Sequence, residues 1–188
     1  MLTIELLNKQ GYSQELDALE RIIVGAFAGF PWFETLSRAE AKSRVETQQI
    51  REGTQIIVAR NENDKVVATS WLDSPTLEQL EIERGQQIRQ FVEKIMKEQG
   101  VVRLLWEREL LVDPEYQKQG IGTELRAFVM AEIDKLSEKT LILSRMRDDN
   151  VGTIKIAERL GFQRTGITKP SSQTPDFNHE YWYRVGGQ

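Results

Sequence analysis

The chain has 188 residues, 39% hydrophobic and 29% charged, a composition typical of a globular protein with one core. Its formal net charge of −4 argues against non-specific binding to nucleic acids or anionic membranes, which need a basic surface. It contains no cysteine, which excludes disulfides, thiolate catalysis and cysteine-ligated metals, and its single histidine, His179, has no second histidine with which to share a metal. The sequence shows no leader pattern and no apolar run of membrane-spanning length, so we expect one cytoplasmic domain over residues 1–188 without a metal.

Hydrophobic periodicity and capping residues predict the elements of the first 72 residues. In chain order they are a strand at 2–6, a helix from Ser13 to about Phe27, a helix from Ser37 to about Ile50, and two strands at 55–60 and 65–72 joined by a polar turn. The second helix is marked by Ser37 and Glu40, which have the spacing of a capping box.

Residues 74–100 are rich in glutamate, glutamine, lysine and arginine, with apolar residues at helical spacing. This pattern predicts a helical insertion that packs one face onto the rest of the domain. A helix that binds a partner protein is the alternative.

The most informative segment lies between residues 101 and 135. An apolar strand ending in Leu110-Leu111-Val112 is followed by a turn with Gly120 and Gly122, and then by a helical run from Thr123 to about Lys135. A helix N-terminus exposes unpaired N–H groups and a partial positive charge, and glycine allows an anion to approach them closely. The segment therefore predicts a loop that binds a diphosphate.

Three known diphosphate loops compete for this pattern. The nucleotide P-loop is excluded because no Lys-Ser or Lys-Thr follows the glycines, and the dinucleotide fingerprint is excluded because Leu125 stands where a third glycine is required. The third pattern is Gln/Arg-x-x-Gly-x-Gly/Ala after a strand that ends in Leu-x-Val. The residues that match it are Leu110, Val112, Gln117, Gly120 and Gly122. They resemble the pyrophosphate loop of the GNAT superfamily of acyl-CoA-dependent N-acetyltransferases.

A second segment carries the same resemblance. After a predicted strand at 140–144, residues 150–162 open at Asn150, a good helix N-cap, and close at Gly161-Phe162, like the later helix of this family. Strands at 162–167 and 181–185, with a loop at 169–178 between them, complete the chain. The resemblance is specific over residues 101–162 and holds elsewhere in outline.

The resemblance implies an α/β fold with a mixed, mostly antiparallel central sheet and flanking helices. The two parallel strands at 101–112 and 140–144 are expected to splay apart where coenzyme A enters. The co-substrate is expected to be acetyl-CoA or another acyl-CoA, with its pyrophosphate on the N–H groups from Gln117 to Thr123 and its pantetheine arm beside the strand. The expected cofactor-binding residues are Leu110, Leu111, Val112, Gln117, Lys118, Gln119, Gly120, Ile121, Gly122, Thr123 and Asn150.

Catalytic residues are less well defined. Glu107 and Glu109 lie on the central strand, where the family often has its base, although carboxylates that only form surface contacts or salt bridges remain the alternative. Ala157 stands where many family members have a tyrosine that protonates the leaving thiolate. The acid is then another residue or water, or the chain binds acyl-CoA without transfer.

On the acceptor side, the resemblance implies Phe30 and Trp32 in the loop after the first helix, and Trp106 and Arg108 on the central strand. Core packing of the aromatic residues is the alternative. An acceptor-facing Arg108 would favour a substrate with a carboxylate or phosphate. His179 is expected to be a hydrogen-bonding residue at the surface.

These observations predict transfer of an acetyl group from acetyl-CoA to a primary amine of a small molecule or a protein, by direct attack on the thioester. Two alternatives are a non-catalytic acyl-CoA sensor and an interaction module that acts through residues 74–100. The sequence leaves open whether the protein is a homodimer.

Overall fold

A computed structural model describes residues 2–171 and 176–188 of the chain. In chain order its elements are β1 (Thr3–Leu6), α1 (Lys9–Gln14), α2 (Leu16–Ala28), α3 (Arg38–Gln49), β2 (Gln55–Arg60), β3 (Val66–Asp73), α4 (Leu77–Arg84), α5 (Gln86–Gln99), β4 (Arg103–Val112), a short 3-10 turn (Pro114–Tyr116), α6 (Ile121–Asp134), β5 (Thr140–Arg147), α7 (Val151–Arg159), β6 (Gln163–Pro170) and β7 (Asn178–Gly186).

The seven strands form a mixed sheet in the order β1-β2-β3-β4-β5-β7-β6, in which β4 and β5 are the parallel pair. Their register runs from Arg103↔Thr140 to Glu107↔Ser144 and ends there, although β4 continues to Val112 and β5 to Arg147. Both the mixed sheet and its splayed parallel pair are therefore confirmed.

By their internal contacts the residues fall into two compact units, Met1–Asp73 with Arg108–Val129 and Ser74–Glu107 with Met130–Gln188. The division passes through β4, where its pairing with β5 ends. That residues 1–188 form one domain stays a prediction.

In the first unit, α2 and α3 cover one face of the strands. Its buried apolar cluster joins these helices to the sheet through Leu7, Tyr12, Leu19, Ile22, Ile23, Ala26, Phe27, Ala41, Val45, Ile56, Val58, Val66, Trp71 and Leu111. Helix α3 begins as predicted, since Ser37 and Glu40 form both hydrogen bonds of a capping box.

In the second unit, the segment that was predicted to be a helical insertion forms two helices, α4 and α5, separated at Gly85. This residue has a φ of +93°, a conformation that glycine adopts without strain. The helices pack on the sheet through a second buried cluster, which consists of Leu80, Ile88, Val92, Ile95, Val101, Leu104, Trp106, Leu141, Leu143 and Tyr181.

The structure corrects two predicted boundaries. The helix start at Ser13 is wrong, because α1 already begins after Asn8, whose side chain accepts a hydrogen bond from the Gly11 N–H at 2.8 Å. The predicted loop at 169–178 is too long, because β6 extends to Pro170 and β7 begins at Asn178. Residues 172–175 of that loop lie outside the described residues.

Candidate functional site

The predicted diphosphate loop lies between the end of β4 and the first turn of α6. The first helical bonds are donated by Thr123 and Glu124, and both go to the Gly120 carbonyl, at 2.9 and 3.0 Å. The Gln117 N–H donates to Pro114, at 3.4 Å. Of the N–H groups predicted from Gln117 to Thr123, the first and last are therefore engaged within the chain.

Five N–H groups remain between these two, from Lys118 to Gly122. Within residues 2–171 and 176–188 none of them donates a backbone hydrogen bond. They lie at the positive end of a 14-residue helix, and the stretch from Lys118 to Gly120 is exposed. Unpaired donors at a helix N-terminus make a binding site for an anion such as a phosphate.

The two glycines of the loop have different reasons to be glycine. Gly120 has a φ of +85°, which other residues adopt only with strain, and a Cβ atom there would have no neighbour within 4 Å. Gly122 has an ordinary φ, but its Cβ would lie 3.3 Å from Cγ2 of Val112, the last residue of β4. Gly120 thus bends an open loop, and Gly122 lets the helix start close to the strand.

Side chains of the loop also fix its shape. Gln117 Nε2 donates to the Val112 carbonyl at 3.1 Å, and Gln119 Nε2 donates to the Glu115 carbonyl at 3.3 Å. Lys118 has a φ of +61°, a left-handed conformation that is uncommon outside glycine. The side chain of Gln117 therefore closes the loop, which gives its place in the motif a structural reason.

Residues far away in the sequence anchor the start of the loop. Asp113 is buried, accepts hydrogen bonds from Arg21 of α2 and from the Glu115 N–H, and has Lys65 Nζ at 3.9 Å. Arg21 also donates to the Val66 carbonyl at 2.8 Å. This ion pair ties α2 to the residue that follows β4.

Gly25 of α2 approaches the same point. A Cβ atom there would lie 2.9 Å from Cδ of Pro114, closer than van der Waals contact allows. Sequence reasoning missed Arg21, Gly25 and Lys65. Only Gly25 gave a signal, because glycine inside a helix destabilises it by about 1 kcal/mol relative to alanine and so needs a packing reason.

The strand residues of the predicted site differ in their surroundings. Leu111 is buried in the core of the first unit, whereas Leu110 and Val112 are half-buried. Glu107 is 4% exposed and pairs in register with Ser144, and Glu109 is half-buried. The roles of these residues in binding and catalysis stay predictions.

Two predicted acceptor residues on β4 have close partners within their own units. Arg108 Nε lies 2.7 Å from Asp73 Oδ2, which Arg51 also approaches at 3.6 Å. Trp106 is buried, with the Tyr181 ring at 6.1 Å edge to face. Arg108 is therefore engaged by a carboxylate of the chain itself, which weakens the inference that it selects an anionic acceptor.

The two loop residues after α2 that were predicted on the acceptor side, Phe30 and Trp32, differ in exposure. Phe30 is 63% exposed and stacks edge to face with exposed Phe33 at 6.1 Å. Trp32 packs against the core of the first unit, with its ring 5.7 Å from Phe27. Of the two residues of this loop that were predicted to contact the acceptor, Phe30 is the more accessible.

Helix α7 matches its predicted start. Asn150 is its N-cap, and the side-chain oxygen accepts from the Thr153 N–H at 3.4 Å. Ala157 is fully buried, and Gly161, with a φ of +81°, follows the helix end. A contact of Asn150 with coenzyme A stays a prediction.

The expectation for His179 is wrong in one respect, because this residue is 7% exposed rather than at the surface. Burial, followed by the charges of Arg145, Arg147 and Arg84, lowers the pKa of His179 from its usual 6.5 to about 4. The imidazole is therefore neutral at physiological pH. The burial comes from pairing of β5, β6 and β7, which the local sequence does not reveal.

No helix within residues 2–171 and 176–188 is long and apolar enough to cross a membrane. The same residues contain no group of three histidine, cysteine, aspartate or glutamate side chains that could hold a metal ion.

The sequence of the chain matches a protein family described as "Acetyltransferase (GNAT) domain" over residues 52–164, more than half of its length. It is also 36% identical over 67 residues to the [ribosomal protein bS18]-alanine N-acetyltransferases of Escherichia coli K12 and Shigella flexneri. That match covers 36% of this chain and 45% of each relative, so the chain spans less than half the length of the curated relatives it matches.

Solved structures agree with the fold. The ribosomal-protein-S18-alanine N-acetyltransferase from Escherichia coli superposes with a TM-score of 0.66 at 17% identity, covering 100% of this chain and 96% of that one. A GNAT superfamily phosphinothricin acetyltransferase from Sinorhizobium meliloti, solved in complex with AcCoA, gives a TM-score of 0.66 at 17% identity, covering 99% and 89%.

Proposed function

Since the chain belongs to the GNAT family of acetyltransferases, we propose that it transfers an acetyl group from acetyl-CoA to a primary amine. The observation that carries this proposal is the loop before α6, with its five N–H groups from Lys118 to Gly122 that have no backbone partner among the described residues. We also propose that the protein works in the cytoplasm, where acetyl-CoA is available.

The described residues fit the diphosphate of coenzyme A. The space beside Gly120 is open, the donors lie at a helix N-terminus, and the following glycine brings the helix close to the end of β4. Lys118, Gln119, Gly120, Ile121 and Gly122 would hold the pyrophosphate oxygens. Lys118 and Gln119 would contribute their backbone N–H groups, so the identity of their side chains matters less for binding than the conformation of the backbone.

The pantetheine arm has a complementary strand edge available to it. The pairing of β4 with β5 ends at Glu107, and β4 continues for five more residues to Val112. Backbone groups of Leu110, Leu111 and Val112 would hydrogen-bond the amides of the arm, as an added strand would. We also propose that Asn150, at the start of α7, binds coenzyme A.

When bound, acetyl-CoA supplies an acetyl group activated as a thioester. The residues of this chain hold that group, polarise its carbonyl through a strand N–H, and take a proton from the ammonium of the acceptor. Glu107 or Glu109 would accept this proton, directly or through a water molecule. The amine then attacks the carbonyl carbon directly, because the chain has no cysteine to form an acyl-enzyme. The C–S bond breaks and coenzyme A leaves as its thiolate, which takes a proton from another residue or from water, since Ala157 has no hydroxyl to donate one.

The acceptor is less constrained than the co-substrate. The curated relatives acetylate the alanine of a ribosomal protein, as their names state, which makes a protein N-terminus one class to include. A small primary amine is the other. Exposed Phe30 is the residue of the first unit that we expect to contact it.

The proposal is tested by calorimetric titration of coenzyme A and by release of its free thiol with a panel of amines. Gly120→Glu should weaken binding at least about a hundredfold, because it places a negative charge among the donors. Gly166→Glu is the matched control, since Gly166 also has a positive φ (+78°) and open space at its Cβ but lies on β6.

Unchanged affinity in Gly120→Glu would contradict the diphosphate site. Tight binding of coenzyme A without thiol release for any amine would leave the site standing and contradict the catalytic part of the proposal.

A further inference from the structure

One face of the sheet in the second unit changes from apolar to cationic along β5. Leu143 lies in the core beneath α4 and α5, and the next two side chains on the same face are Arg145 and Arg147. Their register partners on β7 are Tyr181 and His179. These positive charges are grouped on one face although the net charge of the chain is −4.

Two further cations join this face from neighbouring elements. The guanidinium of Arg84, the last residue of α4, lies 4.8 Å above the ring of buried Trp106. Lys169 of β6 pairs in register with His179, and its Nζ donates to the carbonyl of Arg84. We call Arg84, Arg145, Arg147 and Lys169 the cationic face.

Carboxylates lie near this face. Asp149 holds Arg147 through two hydrogen bonds, at 2.6 and 2.7 Å. Glu83 lies 3.8 Å from Arg84, and Asp148 accepts from the backbone and side chain of Asn178. Each of these acids has a defined partner.

Arg145 differs from the others. It is exposed, and among the residues that the structure describes its side chain forms no ion pair and donates no hydrogen bond. Its planar guanidinium can form two parallel hydrogen bonds with a carboxylate or phosphate. His179 beside it is buried and neutral at physiological pH, so it can donate a hydrogen bond to an anion or accept one without adding charge.

The position of Arg145 connects the cationic face to the reaction. The β4–β5 register ends at Glu107↔Ser144, and Arg145 is the next residue on β5. Trp106 pairs in register with Leu143, and its ring contacts the ring of Tyr181 on the same face of the sheet. In the proposed function, Glu107 at this same end of the pairing is a candidate for the base that takes the proton of the acceptor.

We propose that the cationic face binds an anionic group of the acceptor, with Arg145 as its main contact, so that the preferred acceptors are primary amines that carry a carboxylate or a phosphate. This inference rests on the proposed function. In this proposal Arg145, and not Arg108, is the residue that selects an anion, because Arg108 is engaged by Asp73. It also favours a small anionic amine over a neutral or basic protein N-terminus.

The test measures kcat/KM from thiol release with matched acceptors. Methionine is compared with methionine amide, and O-phosphoethanolamine with ethanolamine. A peptide with a C-terminal amide, whose only charge is its amine, serves as an acceptor without an anionic group. The first two pairs separate carboxylate from phosphate recognition. We expect at least one anionic acceptor to be preferred about tenfold or more over its neutral counterpart.

Variants assign the preference to Arg145. Arg145→Gln should lower kcat/KM for the anionic acceptor about tenfold to hundredfold, the range expected for a lost charge-assisted hydrogen bond. The neutral acceptor should change less than about threefold, and KM for acetyl-CoA should stay the same. Arg145→Lys should restore part of the loss, because the charge returns without the planar fork.

Arg164→Gln is the matched control. Arg164 is also an exposed arginine, but it pairs in register with Trp182, on the opposite sheet face from Tyr181, and its guanidinium lies 4.7 Å above the Trp182 ring. The preference should survive this change.

Several outcomes would overturn the inference alone. These are equal turnover of anionic and neutral acceptors, preference for the amidated peptide, or an Arg145→Gln variant that loses activity on both members of a pair alike. Absence of thiol release with every acceptor would instead contradict the proposed function, and the inference would fall with it.

Discussion

The ion pair between Arg21 and Asp113 should set both the stability of the first unit and the affinity for coenzyme A. Removing one partner of a buried ion pair generally destabilises a protein by about 3–5 kcal/mol, because the other charge is left in the interior. Here the side chain of Arg21 is 35% exposed and Lys65 lies 3.9 Å from the same carboxylate, so part of the loss is compensated. For Arg21→Met we therefore expect about 2 kcal/mol.

The same variant should loosen the loop that Asp113 begins, because Asp113 also accepts the Glu115 N–H and precedes the donors by only a few residues. We expect urea unfolding to show the loss of stability, and thermal unfolding to show a fall in Tm of about 4–8 °C for a protein of this size. Calorimetry should show coenzyme A bound about fivefold to tenfold more weakly. Arg21→Lys should recover part of both effects.

Arg44→Met provides the control, since Arg44 has the same side-chain exposure of 35% and pairs with Glu34 at 3.1 Å. It should lose stability without losing affinity for coenzyme A. If Arg21→Met lowers stability but binds coenzyme A as the parent does, Asp113 does not position the loop. If neither quantity changes, the argument about the ion pair is wrong.

Three further predictions follow from close contacts and charges. Gly25→Ala should weaken coenzyme A binding in calorimetry, because its Cβ would press on Pro114, and unchanged affinity would refute that contact. His179 has a folded-state pKa of about 4 against 6.5 when unfolded, so the unfolded state binds more protons between these values. Titration of His179 should therefore lower the free energy of unfolding by at most about 3 kcal/mol as pH drops from 6.5 to 4, and His179→Leu should show a smaller fall over this range in urea titrations. Glu107→Gln or Glu109→Gln should slow the reaction mainly below the pKa of the acceptor amine, and pH–rate profiles identical to the parent would dismiss both as the base.

Local sequence signals predicted the elements whose ends are fixed by neighbouring residues. The capping box at Ser37 and Glu40 and the N-cap at Asn150 need only a few adjacent residues, and the structure confirms both. Asn8 was missed as a cap because Ser13 offered a competing signal before the apolar face of α2. Such errors move a boundary without changing the order of elements.

Boundaries set by pairing between distant strands were harder to predict. Strand β5 was expected to end at Ser144 because arginines interrupt its apolar run, yet it continues through Arg147, paired with β7. The same pairing buries His179, which the sequence alone suggested was at the surface. Charged residues at the end of a strand hide its length from any argument based on hydrophobicity.

The candidate site also combines features that local sequence predicts with features that depend on distant residues. The loop itself was predicted, because Gly120 and Gly122 are local signals for a bend at a helix start. Its anchors could not be predicted, because Arg21 and Asp113 are 92 residues apart in the sequence and meet only in the folded chain. The chemistry of a backbone site is therefore readable from its motif, whereas its rigidity depends on contacts that need the structure.

We propose above that the backbone at the start of α6 binds the diphosphate of acetyl-CoA. The most direct test is an experimental structure of the protein with coenzyme A. We expect pyrophosphate oxygens at hydrogen-bonding distance, about 2.7–3.2 Å, from N–H groups of residues between Lys118 and Gly122. Coenzyme A bound at another place, with these N–H groups facing solvent, would contradict it.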